Sequence, residues 1–535
     1  MAITRRRLAA VVLCAALLGP AAAGPSSARS RGPQECHPSI GGLNLENATI
    51  PQLQAGLDAG KFTSKQLVKT YLARIDSYDD RLDSIRTLNP RALRIAAKLD
   101  AERAAGHVRG LLHGIPILLK DNVNTTDMPT TAGSIALKGS VPRHDATITK
   151  KLKAAGAIIL GKTNLSEFAG WVDLNAPPGY SSLGGQVVNP YNFGDPSGSS
   201  AGSGVAGTMA FAAGAIGTET SGSILSPSNA NSLVGIKPTT GLVSRYGILP
   251  LAPSFDTPGP MARNVTDAAV ILSAIQGVDP KDPRTSESEG QAAEHEDYTE
   301  FLSTNALKGA RIGYSPNDRD DLPAEQQALF QTALNTLERQ GATLVETDKL
   351  YDSSPGGLAE IGAIPNEFKA SLNAYLQTET SDKLRVRTLS DIVAYNDEHP
   401  EKMKYGQNLL KASDATAGVD NPVTQAQAQA SIQAARASID GTLAADNLDA
   451  IVAPGPAYAN VSASAGYPTV MVPEGYSGQG RNPLGLSILS TAYTEPRLIG
   501  YAYDYEQASK LRRSPTTMNP ALVPPRCEGV LYIID

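Results

Sequence analysis

Cysteine is scarce in this chain. Its 535 residues carry only Cys14, Cys36 and Cys527, and no C-x-x-C occurs. That excludes a zinc ribbon or a dithiol redox motif. The six histidines, at 37, 107, 113, 144, 295 and 399, form no H-E-x-x-H. No metal-ligand spacing is present, so neither a metal nor a cofactor is expected. Aromatic residues are 5% of the chain, with Trp171 the single tryptophan. That argues against a stacking platform for carbohydrate or single strands. Charge of one sign is also lacking. The net charge is -6 and no basic stripe is visible, so nucleic acid is not an expected partner. The longest apolar run near the start, Leu8–Leu18, is too short to span a bilayer stably, so no stable membrane anchor is expected.

What is present at the N-terminus reads as a targeting signal. Arg5, Arg6 and Arg7 precede the apolar Leu8–Leu18, and Ala21 and Ala23 give an A-x-A cleavage pattern. Residues 1–23 are therefore expected to be a signal peptide and 24–49 a tail, with one large domain over 50–535. Thr4-Arg5-Arg6 also resembles a twin-arginine signal. A secreted or periplasmic location follows. Cys14 would leave with the signal, and Cys36 and Cys527 either pair or stay free. Sequons stand at Asn47, Asn124, Asn164, Asn264 and Asn460. Asn124 and Asn164 fall inside motifs and are expected to be inaccessible.

With 41% hydrophobic and 19% charged residues, the chain can bury a sizeable core. Helical periodicity alternates with short apolar runs. Helix-like spacing covers Ile50–Ile75, Ala146–Ala155, Thr266–Gln276, Glu325–Gln340, Phe368–Tyr375, Pro422–Ala445 and Glu495–Arg512. Strand-like runs include Gly110–Lys120, Ala157–Leu160, Ala310–Tyr314, Ala342–Val345, Leu448–Pro454, Gly466–Pro473 and Leu484–Ile488. The alternation predicts an α/β fold: a mixed, mostly parallel sheet with helices on both faces. Asp279–Glu300 is polar and acidic and reads as a surface excursion.

Two stretches carry candidate chemistry. GLLHGIPILLK ends an apolar strand on Lys120. A lysine in an apolar setting is pushed toward its neutral form and can then act as a general base. Gly194–Pro238 holds two Gly/Ser clusters, Ser197–Ser203 and Thr220–Ser223, around the apolar Val205–Ile216. A flexible linker has no need of that middle. Hydroxyls at such turns are candidate nucleophiles, and spacing does not choose Ser223 over Ser221 or Ser226. A Ser-His-Asp set stays open, since its partners meet in space. GAIILGKT, Gly156–Thr163, matches G-x-x-x-x-G-K-[ST] literally. It is not a phosphate loop, because its inner residues are themselves the strand and a helix precedes them.

GIPILLKDN, GAIILGKTNLSEF, PSGSSAGS, GTETSGSILSP, VGIKPTTGLVSRYGILP and DTPGPMAR occur in this order, followed by GYPTVMVP, PLGLSIL and EPRLIGYAYDYEQ. In this the chain resembles the amidase signature hydrolases, from about Ile50 onward, and within them the peptide amidases. The resemblance implies a Ser–cis-Ser–Lys triad. Lys120 is then the base, Ser199 the bridging serine after a cis peptide bond, and Ser223 the nucleophile. Backbone N–H groups of Thr220, Ser221, Gly222 and Ser223 would form the oxyanion hole, and Ser200 would support the turn. Many family members have Asp and Arg where this chain has Glu219 and Leu225, so an ion pair between those positions is missing. Ser221 stands where the peptide-amidase branch has Asp.

The resemblance thus implies an exported amidase that cleaves a carboxamide, such as a peptide's C-terminal amide, to the acid and ammonia. Its partner would be a small-molecule or peptide amide, and the chain is expected to be a monomer. Two alternatives stand beside it: a broader acylamidase for aryl or fatty amides, and an inactive secreted binding protein on the same scaffold. An amidotransferase subunit shares the motifs, but the signal segment argues against it. The specificity-setting loops are expected in Trp171–Gly185 and Asp279–Pro400.

Overall fold

The motif strands all join one sheet. The computed structural model describes residues 39–522 except 292, 294, 296, 349, 351–357 and 421. The expected signal segment, Cys36 and Cys527 lie outside the described residues. The strands are β1 (Ile85–Leu88), β2 (Pro116–Lys120), β3 (Ile158–Thr163), β4 (Gly214–Glu219), β5 (Val234–Lys237) and β6 (Thr257–Ala262). They continue as β7 (Arg311–Tyr314), β8 (Thr343–Glu346), β9 (Ala450–Pro454), β10 (Thr469–Ser477) and β11 (Asn482–Leu489). Across the sheet the order is β8-β7-β9-β11-β10-β5-β6-β4-β2-β3-β1.

Every residue of β2, β3, β4, β5 and β6 is buried. Successive strand residues point to opposite faces, so burial at every position means that both faces are covered. This is the expected α/β domain with helices on each side of a mixed sheet. Parallel pairing is confined to two wings, β8-β7-β9 and β4-β2-β3. The middle of the sheet is antiparallel. Parallel pairing is therefore less extensive than the helix–strand alternation predicts. One contribution is the β10–β11 hairpin, whose short connection contains Gly478 and Gly480 at positive φ. A tight turn of this kind permits only antiparallel neighbours.

β6 is the least legible strand. Pro258 and Pro260 argue against a place inside a sheet, because neither can donate to a ladder. Its pairing with β4 runs its full length, but its pairing with β5 covers only Met261 and Ala262. On the β5 side the ladder is therefore absent beside the two prolines.

The packed body also begins earlier than the sequence suggests. Ser39–Ile40 pairs with Leu43–Asn44, and Leu45 is buried. Glu46 forms a buried ion pair with Arg74. The last part of the 24–49 tail is thus folded onto the domain. Asp279–Glu300 is likewise not wholly a surface excursion, since Ala293 and Tyr298 belong to the main core.

Candidate active site

Lys120 ends β2 next to β4, with Leu119 opposite Ile216 in parallel register. That places its side chain against Thr218. Lys120 is fully buried. Its Nζ lies 2.8 Å from Ser199 Oγ, 2.9 Å from Thr218 Oγ1 and 3.2 Å from Thr218 O. A carbonyl can only accept, so one N–H of Lys120 goes to Thr218 O. Asn122 Nδ2 donates to Thr218 Oγ1 at 3.0 Å, leaving that hydroxyl a second acceptor position for Lys120. A neutral amine with both hydrogens so engaged keeps its lone pair for the Ser199 hydroxyl.

Ser199 follows a cis peptide bond from Gly198. Ser166 N–H donates to its carbonyl at 3.0 Å. Ser200 opens the helix α1 (Ala201–Thr208). Its Oγ donates to Thr218 O at 3.1 Å and accepts from Thr218 N at 3.2 Å, joining the turn to β4. Ser200 N–H donates to Ser223 O at 3.3 Å, linking the two Gly/Ser clusters directly. Gly202 is required for this approach, because a Cβ there would collide with the carbonyl oxygens of Asn164 and Ser84.

β4 ends at Glu219, and the turn Thr220–Ser223 leads into the helix α2 (Leu225–Ala230). Gly222 holds φ at 74°, the left-handed region that suits glycine. Glu219 Oε2 accepts from the N–H groups of Ile224 and Leu225 at 2.7 and 2.9 Å. Leu225 thus contributes a backbone N–H to Glu219, while its side chain packs with Ala459 and Met471. Thr220 Oγ1 donates to Asp256 Oδ1 at 2.6 Å, and Ser221 Oγ to Asn460 Oδ1 at 2.7 Å. Gly222 N–H faces Glu219. The N–H groups of Thr220, Ser221 and Ser223 make no bond to a backbone acceptor among the described residues. Ser223 itself is 7% exposed.

Burial sets the electrostatics. It pulls the Lys120 ammonium down to about 7, against the opposing pull of Asp256 and Glu219. Both carboxyls are themselves raised by burial. Left-handed backbone at the non-glycine residues Ala132, Phe168, Ala169 and Ser197 surrounds the site. Such outliers persist only where surrounding structure holds them.

Lys120, Ser199, Ser200 and the Thr220–Ser223 turn therefore come together. No described histidine bonds to these serines: His113 pairs with Leu99 O, and His144 lies 2.9 Å from Glu379. Lys162, the lysine of GAIILGKT, lies inside β3 and pairs with Asp121 at 3.3 Å, so that motif is structural. Asn124 and Asn164 are buried, as expected. Thr218, Asn122, Asp256 and Asn460 were not singled out from the sequence. Thr218 and Asp256 lie within GTETSGS and DTPGPMAR, which is the signal that could have found them. No metal-holding group of His, Cys, Asp or Glu occurs among the described residues.

The loop that carries Asp256 also borders a cavity of about 550 Å³. Pro253 and Ser254 form one wall. The helices Leu358–Thr378 and Pro422–Ala445 form the others, through Asn366, Ala370, Gln425 and Ala428. Ser254 N–H donates to Glu367 at 2.9 Å, tying the loop to the first helix.

Residues 66–472 match the Amidase family profile. A probable amidase of Arabidopsis thaliana is 39% identical over 484 residues, covering 88% of this chain and 92% of that protein. The crystal structure of the native peptide amidase from Stenotrophomonas maltophilia superposes with a TM-score of 0.83 at 42% identity, over 88% of this chain and 98% of that one. An amidase family protein from Bacillus anthracis gives a TM-score of 0.83 at 38% identity, over 88% and 92%.

Proposed function

The chain belongs to the amidase family and is a hydrolase of amide bonds, and we propose that it cleaves a primary carboxamide by acyl transfer through Ser223, Ser199 and Lys120. The observation that carries this reading is the state of Lys120: buried, held near neutrality, and within 2.8 Å of Ser199 Oγ with Thr218 absorbing its hydrogens. Ser223 Oγ attacks the carbonyl carbon, and its proton passes to Ser199 as Ser199 passes its own to Lys120. The turn N–H groups of Thr220, Ser221 and Ser223 stabilise the oxyanion; one such donor is worth roughly 3–4 kcal/mol of barrier in other hydrolases. Collapse breaks the C–N bond, the proton returns through Ser199 to nitrogen, and ammonia leaves. Water then attacks the acyl-Ser223 ester by the same relay and frees the acid.

The substrate we favour is a peptide's C-terminal amide. The support is the 42% identity to the Stenotrophomonas maltophilia peptide amidase. The cavity beside the Asp256 loop, with amide side chains from Asn366 and Gln425, suits an extended acyl portion. It would make Leu358–Thr378 and Pro422–Ala445 the specificity-setting elements. We also propose that the chain is exported, on the strength of its N-terminal segment.

Ammonia release from a peptide amide tests the reading. It should vanish in Ser223→Ala with the fold retained, and a fluorophosphonate probe should label the wild type alone. Retained activity in that variant, or no labelling of the wild type, removes the assignment. Rates on a peptide amide, an anilide and a fatty acyl amide separate this reading from the broader acylamidase.

A further inference from the structure

A second cavity, of about 270 Å³, lies where the segment after β5 meets the turn at Gly466 and the chain around Tyr493. None of Lys120, Ser199 and Ser223 lines it. Its lining is positively charged, with Arg284 and Arg436 against the one carboxylate of Glu287. Thr240 is 2% exposed, and its Oγ1 has no hydrogen-bond partner. A buried hydroxyl left unpaired is unfavourable, so a partner is missing from this corner. The Thr240 N–H donates to Gly466 O at 3.0 Å, which fixes the residue against the wall formed by Gly466.

Both guanidiniums line the cavity. Arg436 Nε donates to Ala465 O at 2.9 Å, and its carbon sits 5.7 Å from the Tyr467 ring centre. Those contacts fix the guanidinium plane at the cavity wall. Arg284 Nε lies 3.1 Å from Glu287 Oε2 but too far off line to form a hydrogen bond. Tyr493 completes the wall with φ at 61°, a left-handed conformation held by its N–H bond to Thr239 Oγ1 at 2.9 Å. Non-glycine residues in that region cluster where a site needs a fixed shape.

Guanidinium presents paired donors that match the oxygens of a carboxylate or phosphate. The volume falls below the roughly 300–1,000 Å³ of sites for drug-sized ligands. We propose that this cavity binds a small oxyanion between Arg284 and Arg436, with the Thr240 hydroxyl donating a third hydrogen bond. The site is separate from the amide-cleaving centre and does not depend on the roles assigned there.

Calorimetric titration and thermal melting of the full chain, with inorganic phosphate in one arm and succinate in the other, test the proposal. Saturable one-to-one binding is expected in at least one arm, with a matching rise in Tm. A response to phosphate alone assigns an inorganic ligand, and a response to succinate alone assigns a carboxylate. Binding should weaken about tenfold or more in Arg436→Gln, where a charge-assisted pair is lost. Arg284→Gln serves in its place if that variant does not fold, and Thr240→Val should weaken binding less. No saturable binding in either arm, or binding unchanged in the folded arginine variant, overturns the proposal.

Discussion

The Thr220 hydroxyl donates to Asp256 Oδ1 at 2.6 Å, and the same carboxylate is one of the two groups whose charge opposes neutralisation of Lys120. Its other oxygen accepts the N–H groups of Leu251 and Ala252, at 2.9 and 3.0 Å. One side chain thus ties the oxyanion turn to a loop and also tunes the base. The two effects separate by substitution. Asp256→Asn removes the charge but can keep the contacts, its oxygen accepting the Leu251 and Ala252 N–H groups and its NH2 donating to the Thr220 hydroxyl, so Lys120 should lose its proton more readily. The acid limb of kcat/KM should move to lower pH. Thr220→Val keeps the charge and frees the turn, so kcat should fall by about tenfold or more with the acid limb unmoved. Steady-state rates between pH 5 and 9 check both, and an unmoved limb in Asp256→Asn would refute the coupling.

The wild-type profile has a defined sign. The base must be neutral to accept a proton, and Lys120 is held at about 7. Below that value kcat/KM should fall roughly tenfold per pH unit, and above it the rate should level off. Lys120→Met should remove the acid limb together with most of the rate. A profile that stays flat from pH 5 to 9 would mean that another group takes the proton.

Much of this site could be read along the chain, and the unread parts share a cause. Lys120 announces itself because Ile117–Leu119 precede it, and the serines because their clusters flank an apolar segment. Their family roles follow from motif order. Thr218, Asp256 and Asn460 act through neighbours that only the fold supplies. Thr218 meets Lys120 because β4 pairs in parallel with β2, and Asn460 meets Ser221 across 239 positions of sequence. β6 is hidden for a different reason: its prolines violate strand preference, and only the shortness of the neighbouring ladder makes them tolerable. Residues 39–49 look like tail because their anchors, the Glu46–Arg74 pair and Leu45, are single residues without periodicity.

The close approach at Gly202 gives a stability prediction. A methyl there would meet the carbonyl oxygens of Asn164 and Ser84, which belong to backbone and cannot swing away. Gly202→Ala should therefore destabilise the fold by about 1–3 kcal/mol, the usual cost of overpacking. The urea midpoint should drop with an unchanged m value. Activity should fall as well, because α1 carries Ser199 and Ser200 at its head. An alanine variant with wild-type stability would show that the helix can shift.

The pair behind the base makes the last prediction. Lys162 and Asp121 are both fully buried, and Lys162 also donates to Thr130 Oγ1 at 2.9 Å and Pro129 O at 3.1 Å. Burial pulls the lysine down and pushes the carboxyl up, and each charge opposes the other's shift. Asp121→Ala leaves an uncompensated buried ammonium and should cost about 3–5 kcal/mol. Removing both charges, as Asp121→Leu with Lys162→Met, should cost much less, since a dry pair gains little over apolar contact of similar volume. Chemical unfolding of Asp121→Leu, Lys162→Met and the double variant completes a cycle. A double variant as unstable as the sum of the singles would place the stabilisation in the separate hydrogen bonds, from Lys162 to Thr130 and from the Thr131 hydroxyl to Asp121, and not in the pairing of charge.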